Sequence, residues 1–231
     1  MKFMHLEAGE KVQLTYVSIM TPSPIMKAYY STPEGQIHYR YLKSTLTNVT
    51  KSLVVMLHMS ACSSLYFVEL IERLAAEGHE VYAWDMPGFG NSYDIDFKPD
   101  GIIYYVDKII IGVKHWGLSK FHVLGHHSGA SIATELAAIH GDQVLSLTIV
   151  GPALLTAEEQ VAHLKEAGLN EEVVPFNKPV ADGSHLLSTW NQLLTNGEWD
   201  PEVLNGQTLD TLRAWKGRLQ IYRNVFSQPA L

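Results

Sequence analysis

Apolar residues recur along this chain in two rhythms. Leu53-Val54-Val55-Met56-Leu57 and Val81-Tyr82-Ala83-Trp84 are short unbroken runs, the length of strands buried on both faces. Phe121-His122-Val123-Leu124 and Leu145-Ser146-Leu147-Thr148-Ile149-Val150 predict two more strands. Between them the apolar residues return every three or four positions. Phe67, Leu70, Ile71 and Leu74 predict a helix that Gly78 ends. Val106, Ile109, Ile110 and Val113 predict a second helix, stopping near Gly117, and Ile132, Leu136 and Ile139 a third, stopping at His140-Gly141. Residues 36–42 alternate and are rich in aromatics, which predicts a strand with one face in solvent. Strand and helix thus alternate four times up to Val150. That order requires a mostly parallel sheet with helices on both faces, an α/β fold.

From Leu154 onward the rhythm is helical or irregular, with helices expected over 157–167, 183–196 and 201–226 and no further strand. The expected organisation is an N-terminal extension over 1–28, a core over 29–152 and a helical segment over 153–231 lying like a lid on the strand ends.

Composition narrows the function classes. The chain has 231 residues, 46% hydrophobic and 18% charged, which suits one soluble domain with a sizeable core. A net charge of -7 without a Lys/Arg cluster argues against nucleic acid and anionic membranes as partners. The oligomeric state is left open. Cys62 is the one cysteine, so no internal disulfide forms and a reducing compartment is expected. Lys2, Glu7, Glu10 and Lys11 interrupt the first twenty residues, so no signal peptide is read there. No run is long enough to span a bilayer. The last residues, Gln228-Pro229-Ala230-Leu231, are not a peroxisomal address. These readings imply a cytoplasmic protein, for which the Asn48-Val49-Thr50 sequon has no meaning. No cofactor is expected: no Gly-x-Gly-x-x-Gly follows the first strand, and no His or Cys pair has the spacing of a zinc hydrolase.

The richest ten residues are Phe121-His122-Val123-Leu124-Gly125-His126-His127-Ser128-Gly129-Ala130. They read as a strand, an abrupt turn between two glycines and a helix of small residues, the layout of a nucleophile elbow. The residues two before and two after the apex must be small. With His127 at the apex these are Gly125 and Gly129. With Ser128 they are His126 and Ala130, and His126 clashes. Sterics therefore favour His127, with Ser128 as the alternative nucleophile. A histidine at a helix N-terminus is expected neutral, suited to a general base and poorly suited to replace a serine nucleophile. A His127 that merely fills a degenerate elbow is the competing reading.

The chain resembles the α/β-hydrolase fold superfamily over Tyr30 to about Ile149. The motifs are His58 after a buried strand with Ser63-Ser64, then Asp85-Met86-Pro87-Gly88-Phe89-Gly90-Asn91-Ser92, then the elbow. It is closer still to a subgroup of hydrolases with a Gly-His-His-Thr/Ser-Gly-Ala elbow, matched further by His58-Met59-Ser60 and Asp182-Gly183-Ser184-His185-Leu186-Leu187. The resemblance implies that the backbones of Ser60 and Ser128 supply an oxyanion hole. Met59 stands where the family usually has glycine. His58 and Asp85 are expected to be structural, and Cys62 to be a packing residue. His185 is a weaker catalytic candidate beside His163, and Leu186, Leu187, Trp190 and Leu193 can wall a pocket or form the lid's own core.

In this superfamily an acid and then a histidine follow later strands. Gly151-Pro152-Ala153 offers no carboxylate, and the chain ends before further strands form. The resemblance thus implies a shortened chain, catalytically incomplete as given. The expected function is hydrolysis of a small apolar ester, lactone or epoxide, compatible with secondary metabolism. The alternatives are a non-catalytic small-molecule or partner-binding member of the fold, and a cofactor-free lyase or isomerase.

Overall fold

The computed structural model describes residues 24–44, 46, 51–153, 155–166, 177–195 and 200–227. The first 23 residues of the expected extension, the 48–50 sequon, residues 167–176 and the last four residues lie outside these.

Among the described residues six strands form one sheet: β1 Met26–Thr32, β2 Gly35–Leu42, β3 Leu53–Leu57, β4 Glu80–Trp84, β5 Phe121–His126 and β6 Val144–Val150. Their spatial order is β1-β2-β4-β3-β5-β6. β1 and β2 form an antiparallel hairpin, and β2 runs antiparallel to β4. β4, β3, β5 and β6 are parallel. Each parallel connection crosses over through a helix: α1 Val68–Ala76, α2 Ile103–His115 and α3 Ser128–Ile139. A short 3₁₀ turn, Ser64–Phe67, precedes α1, and the Ser63 hydroxyl caps it by accepting from the Leu65 N–H at 3.2 Å.

The core has two layers. On one face Val54, Met56, Val81 and Ala83 meet Phe67, Ile71 and Ala75. On the other, Val55, Leu57, Trp84 and Val123 meet Val106, Ile109, Ile132 and Leu136. The helical segment comprises α4 Ala157–Glu166, α5 Ser184–Thr195, α6 Pro201–Arg213 and α7 Gly217–Val225.

Three sequence expectations are corrected. First, β1 carries no expected strand. Its Met-Lys-Ala-Tyr-Tyr-Ser-Thr composition breaks the apolar alternation, yet Tyr30 is buried and its hydroxyl donates to the Lys108 carbonyl at 2.9 Å. Second, β2 is not open to solvent on one face: Ile37, His38, Tyr39, Arg40 and Leu42 are all buried. Its polar residues are accommodated because each finds a partner, His38 at Asp85 and Arg40 at Ser64. Third, 201–226 is two helices, not one. The chain breaks over 214–216, and Gly217 then packs so closely on the Gly88 backbone that a Cβ there would overlap the Gly88 carbonyl. Asp200 caps α6, accepting from the N–H groups of Glu202 (2.9 Å) and Val203 (3.4 Å), with Pro201 in the first turn.

Candidate active site

β5 is a central parallel strand, and the chain leaves its C-terminal end through His127 directly into α3. His127 has φ 51° and ψ −114°, a conformation that costs a non-glycine residue free energy. Its N–H donates to the Val150 carbonyl at 2.8 Å, and its own carbonyl accepts from Ala130 and Ser131, starting the helix. The neighbours leave room for nothing larger than glycine. A Cβ on Gly125 would overlap the Gly129 carbonyl, and one on Gly129 would overlap the Leu57 carbonyl. The helix can approach the sheet this closely only because both residues lack side chains.

The His127 ring is half-buried and meets the Tyr222 ring of α7 edge-on, with centroids 6.1 Å apart. Burial holds its pKa below the ordinary imidazole value, and the neighbouring His126 adds to this. His126 points the other way, tilted against Tyr66 at 5.4 Å, and burial lowers its pKa too. Ser128 is fully buried, and its hydroxyl has no partner among the described residues. As the first residue of α3 its N–H lies at an uncapped helix N-terminus, where backbone donors face outward.

The loop between β3 and the 3₁₀ turn runs alongside. His58 is completely buried. Its Nδ1–H donates to the Met59 carbonyl at 2.8 Å and its Nε2 accepts from the Met86 N–H at 3.0 Å. Both ring nitrogens are thereby committed, and burial holds the ring neutral against the pull of the Asp85 charge. Ser60 is buried with an unpartnered hydroxyl among the described residues, and Ala61 has φ 64°. Asp85 is buried and accepts from His38 Nδ1–H (2.8 Å), the Ser64 N–H (2.6 Å) and the Asn91 N–H (2.9 Å). Burial pushes its pKa up, but the His38 bond and the neighbouring His58 and Ser64 bring it down to about 2. Asp85 therefore fastens β2, the start of the 3₁₀ turn and its own following loop together. The Cys62 thiol donates to the side-chain Oε1 of Gln207 at 3.2 Å, and burial pushes its pKa up to about 12.

Helix α6 clamps this loop. Gln207 Nε2 donates to the Ala61 carbonyl at 3.1 Å, and the Ser63 hydroxyl donates to Asp210 Oδ2 at 2.7 Å. Burial raises the Asp210 pKa to about 6, opposed by the Ser63 bond and the Arg40 charge and assisted by the Asp85 charge. A cavity of about 880 Å³ lies between α1, α6 and the ends of β5 and β6, beside His126 and not His127. Its walls come from α6, not α5: Leu186 and Leu187 are 51% and 64% exposed.

The structure brings His127, Ser128 and the Ser60 loop to one end of the sheet. It does not bring His185 there by any described contact. His185 opens α5, where its Nδ1 accepts from the Val180 N–H at 3.3 Å. His163 stacks on Phe226, which stacks on Tyr222. Gln207, Asp210 and Tyr222 were invisible in the sequence, because each sits in a helix whose polar spacing gives no sign of what it faces.

A family profile described as the alpha/beta hydrolase fold matches residues 52–182. The chain belongs to the α/β-hydrolase family. It is similar to a probable lysophospholipase, BODYGUARD 3, from Arabidopsis thaliana, at 31% identity over 125 residues, 50% of this chain and 24% of that protein. It thus spans about a quarter of the length of that relative. Among solved structures it resembles an epoxide hydrolase from Vigna radiata, with a TM-score of 0.66 and 15% identity over 87% of this chain and 72% of that one. It also resembles an N-acyl homoserine lactonase in complex with N-butanoyl homoserine, with a TM-score of 0.62 and 19% identity over 86% of this chain and 68% of that one. At such identities these α/β-hydrolase structures establish the common fold alone.

Proposed function

We propose that the protein hydrolyses a small apolar ester or lactone, with the His127 imidazole as general base. The observation that carries this reading is the strained backbone at His127, held between Gly125 and Gly129 at the end of a central parallel strand. Strain of this kind persists where the surrounding structure over-determines it, and it gathers at active sites.

In this reaction a water molecule gives a proton to the neutral His127 ring as its oxygen adds to the acyl carbon. The oxyanion is met by the outward N–H of Ser128 and by the backbone of Ser60. Collapse of the intermediate expels the alcohol oxygen, which takes the proton back from the imidazolium. The depressed pKa of His127 keeps the base in its working form at neutral pH. An epoxide fits the same arrangement: the water oxygen adds to a ring carbon as that carbon's bond to the ring oxygen breaks, and the alkoxide takes the proton from the imidazolium. That one relative is called a lactonase and another an epoxide hydrolase supports the substrate class.

The test is turnover of short-chain p-nitrophenyl esters and lactones, with a fluorophosphonate as probe. Turnover lost by a factor of roughly 100 or more in His127→Ala, with no covalent label, is expected. Labelling of Ser128 would instead make the serine the nucleophile. A second reading is a binding protein without chemistry. It is favoured by the absence, among the described residues, of any carboxylate hydrogen-bonded to His127. Saturable binding of an ester without turnover would establish it.

A further inference from the structure

We propose that the cavity between α1, α6 and the ends of β5 and β6 binds a primary amine with an apolar tail, and that Asp210 holds the ammonium group. The inference goes beyond the hydrolase reading and does not depend on any chemistry at His127.

The cavity, at about 880 Å³, has the size of a small-molecule site. Phe67, Leu70, Leu124 and Val203 give it an apolar wall suited to an aliphatic chain. Its charges are unbalanced: Glu69, Glu202 and Asp210 line it against the single guanidinium of Arg73. Arg73 and Glu69 lie 3.8 Å apart and are both largely exposed at the rim, so they offset each other. The excess negative charge then belongs to Glu202 and Asp210, which repels carboxylate and phosphate headgroups.

Asp210 is the anomaly. It is a largely desolvated carboxylate, and no cation lies within ion-pair distance among the described residues. Its hydrogen-bond donors, the hydroxyl and N–H of Ser63, are neutral, and the Arg40 guanidinium, hydrogen-bonded to the Ser64 hydroxyl at 2.6 Å, acts on it only through space. Desolvated charges are ordinarily compensated by a partner, and an acid left uncompensated on a cavity wall is suited to receive one from a ligand. A primary ammonium supplies the missing charge and three donors. The Gln207 side chain lines the same wall, and the half-exposed Tyr66 ring offers a face for the cation. An alcohol of equal length gains the apolar contacts without the ion pair, and a carboxylate meets repulsion.

The experiment is a ¹H–¹⁵N NMR titration of the whole chain at pH 7.5 with hexylamine, hexanol and hexanoate. The backbone signals of Gly206 and Gln207 report the site. Hexylamine is expected to bind about tenfold more tightly than hexanol, with hexanoate the weakest, as a charge-assisted hydrogen bond predicts. Asp210→Asn should reduce the amine to the level of the alcohol. Gly206→Leu, at a position where a Cβ meets nothing closer than Leu65 at 3.6 Å, should project into the cavity and weaken binding of all three. Equal binding of amine and alcohol would overturn the proposal. So would an amine preference that survives Asp210→Asn, binding unchanged in Gly206→Leu, or no saturable shift with any of the three.

Discussion

Two glycines and one aspartate carry much of the local geometry. Gly125 and Gly129 are packed backbone to backbone, so Gly129→Ala drives a methyl group into the Leu57 carbonyl, which belongs to a buried strand and cannot yield. The expected cost is on the order of 3 kcal/mol, read as a fall in the urea midpoint at unchanged slope. Asp85 answers three donors, from β2, the 3₁₀ turn and the loop that follows Asp85 itself, so Asp85→Ala leaves them unsatisfied and should cost about 3 kcal/mol in the same measurement. Its carboxyl sits at about pKa 2, below its ordinary 3.8. The stability it supplies is therefore complete above about pH 4 and is lost as the pH falls through 2. An acid titration of the wild type should show this loss, and in Asp85→Ala that part of the slope should vanish.

The helices divide into those the sequence made legible and those it did not. The parallel strands and α1, α2 and α3 follow from unbroken runs and three-to-four spacing, because burial there is mainly a matter of apolar side chains. β1 and the inner face of β2 escaped that logic. Tyr30, His38 and Arg40 are buried through polar partners distant in sequence, and no periodicity encodes a partner. The elbow glycines were readable because sterics act locally. The clamp of α6 on residues 61–63 was not, since Gln207 and Asp210 meet that loop from some 145 positions away. Asp210 also makes a prediction for its helix. Its pKa is raised from 3.8 to about 6 by burial and the Asp85 charge, against the Arg40 charge and beside Cys62, His126 and Glu202. Its contribution is thus fully present below about pH 4 and lost as the pH rises through 6. Asp210→Asn keeps an acceptor for Ser63 without the charge. The variant should melt higher than the wild type at pH 7.5, and the two melting curves should converge at pH 4.

Among the described residues the sheet ends in β1 on one side and β6 on the other. β6 has no charged residue or proline, and Leu145, Leu147, Ile149 and Val150 are 56%, 37%, 37% and 49% exposed. An unguarded apolar edge of this kind recruits other strands. Light scattering during size-exclusion chromatography should show association that grows with concentration, and Leu145→Lys should suppress it. No helix among the described residues is long and apolar enough to cross a membrane. The thiol beneath α6 offers a different kind of handle. Cys62 is the sole cysteine of the chain, 1% exposed and bonded to Gln207, so a thiol reagent cannot reach it while α6 stays seated. The rate at which a coloured disulfide reagent modifies the native protein is then a stopwatch on the rise and fall of that one helix.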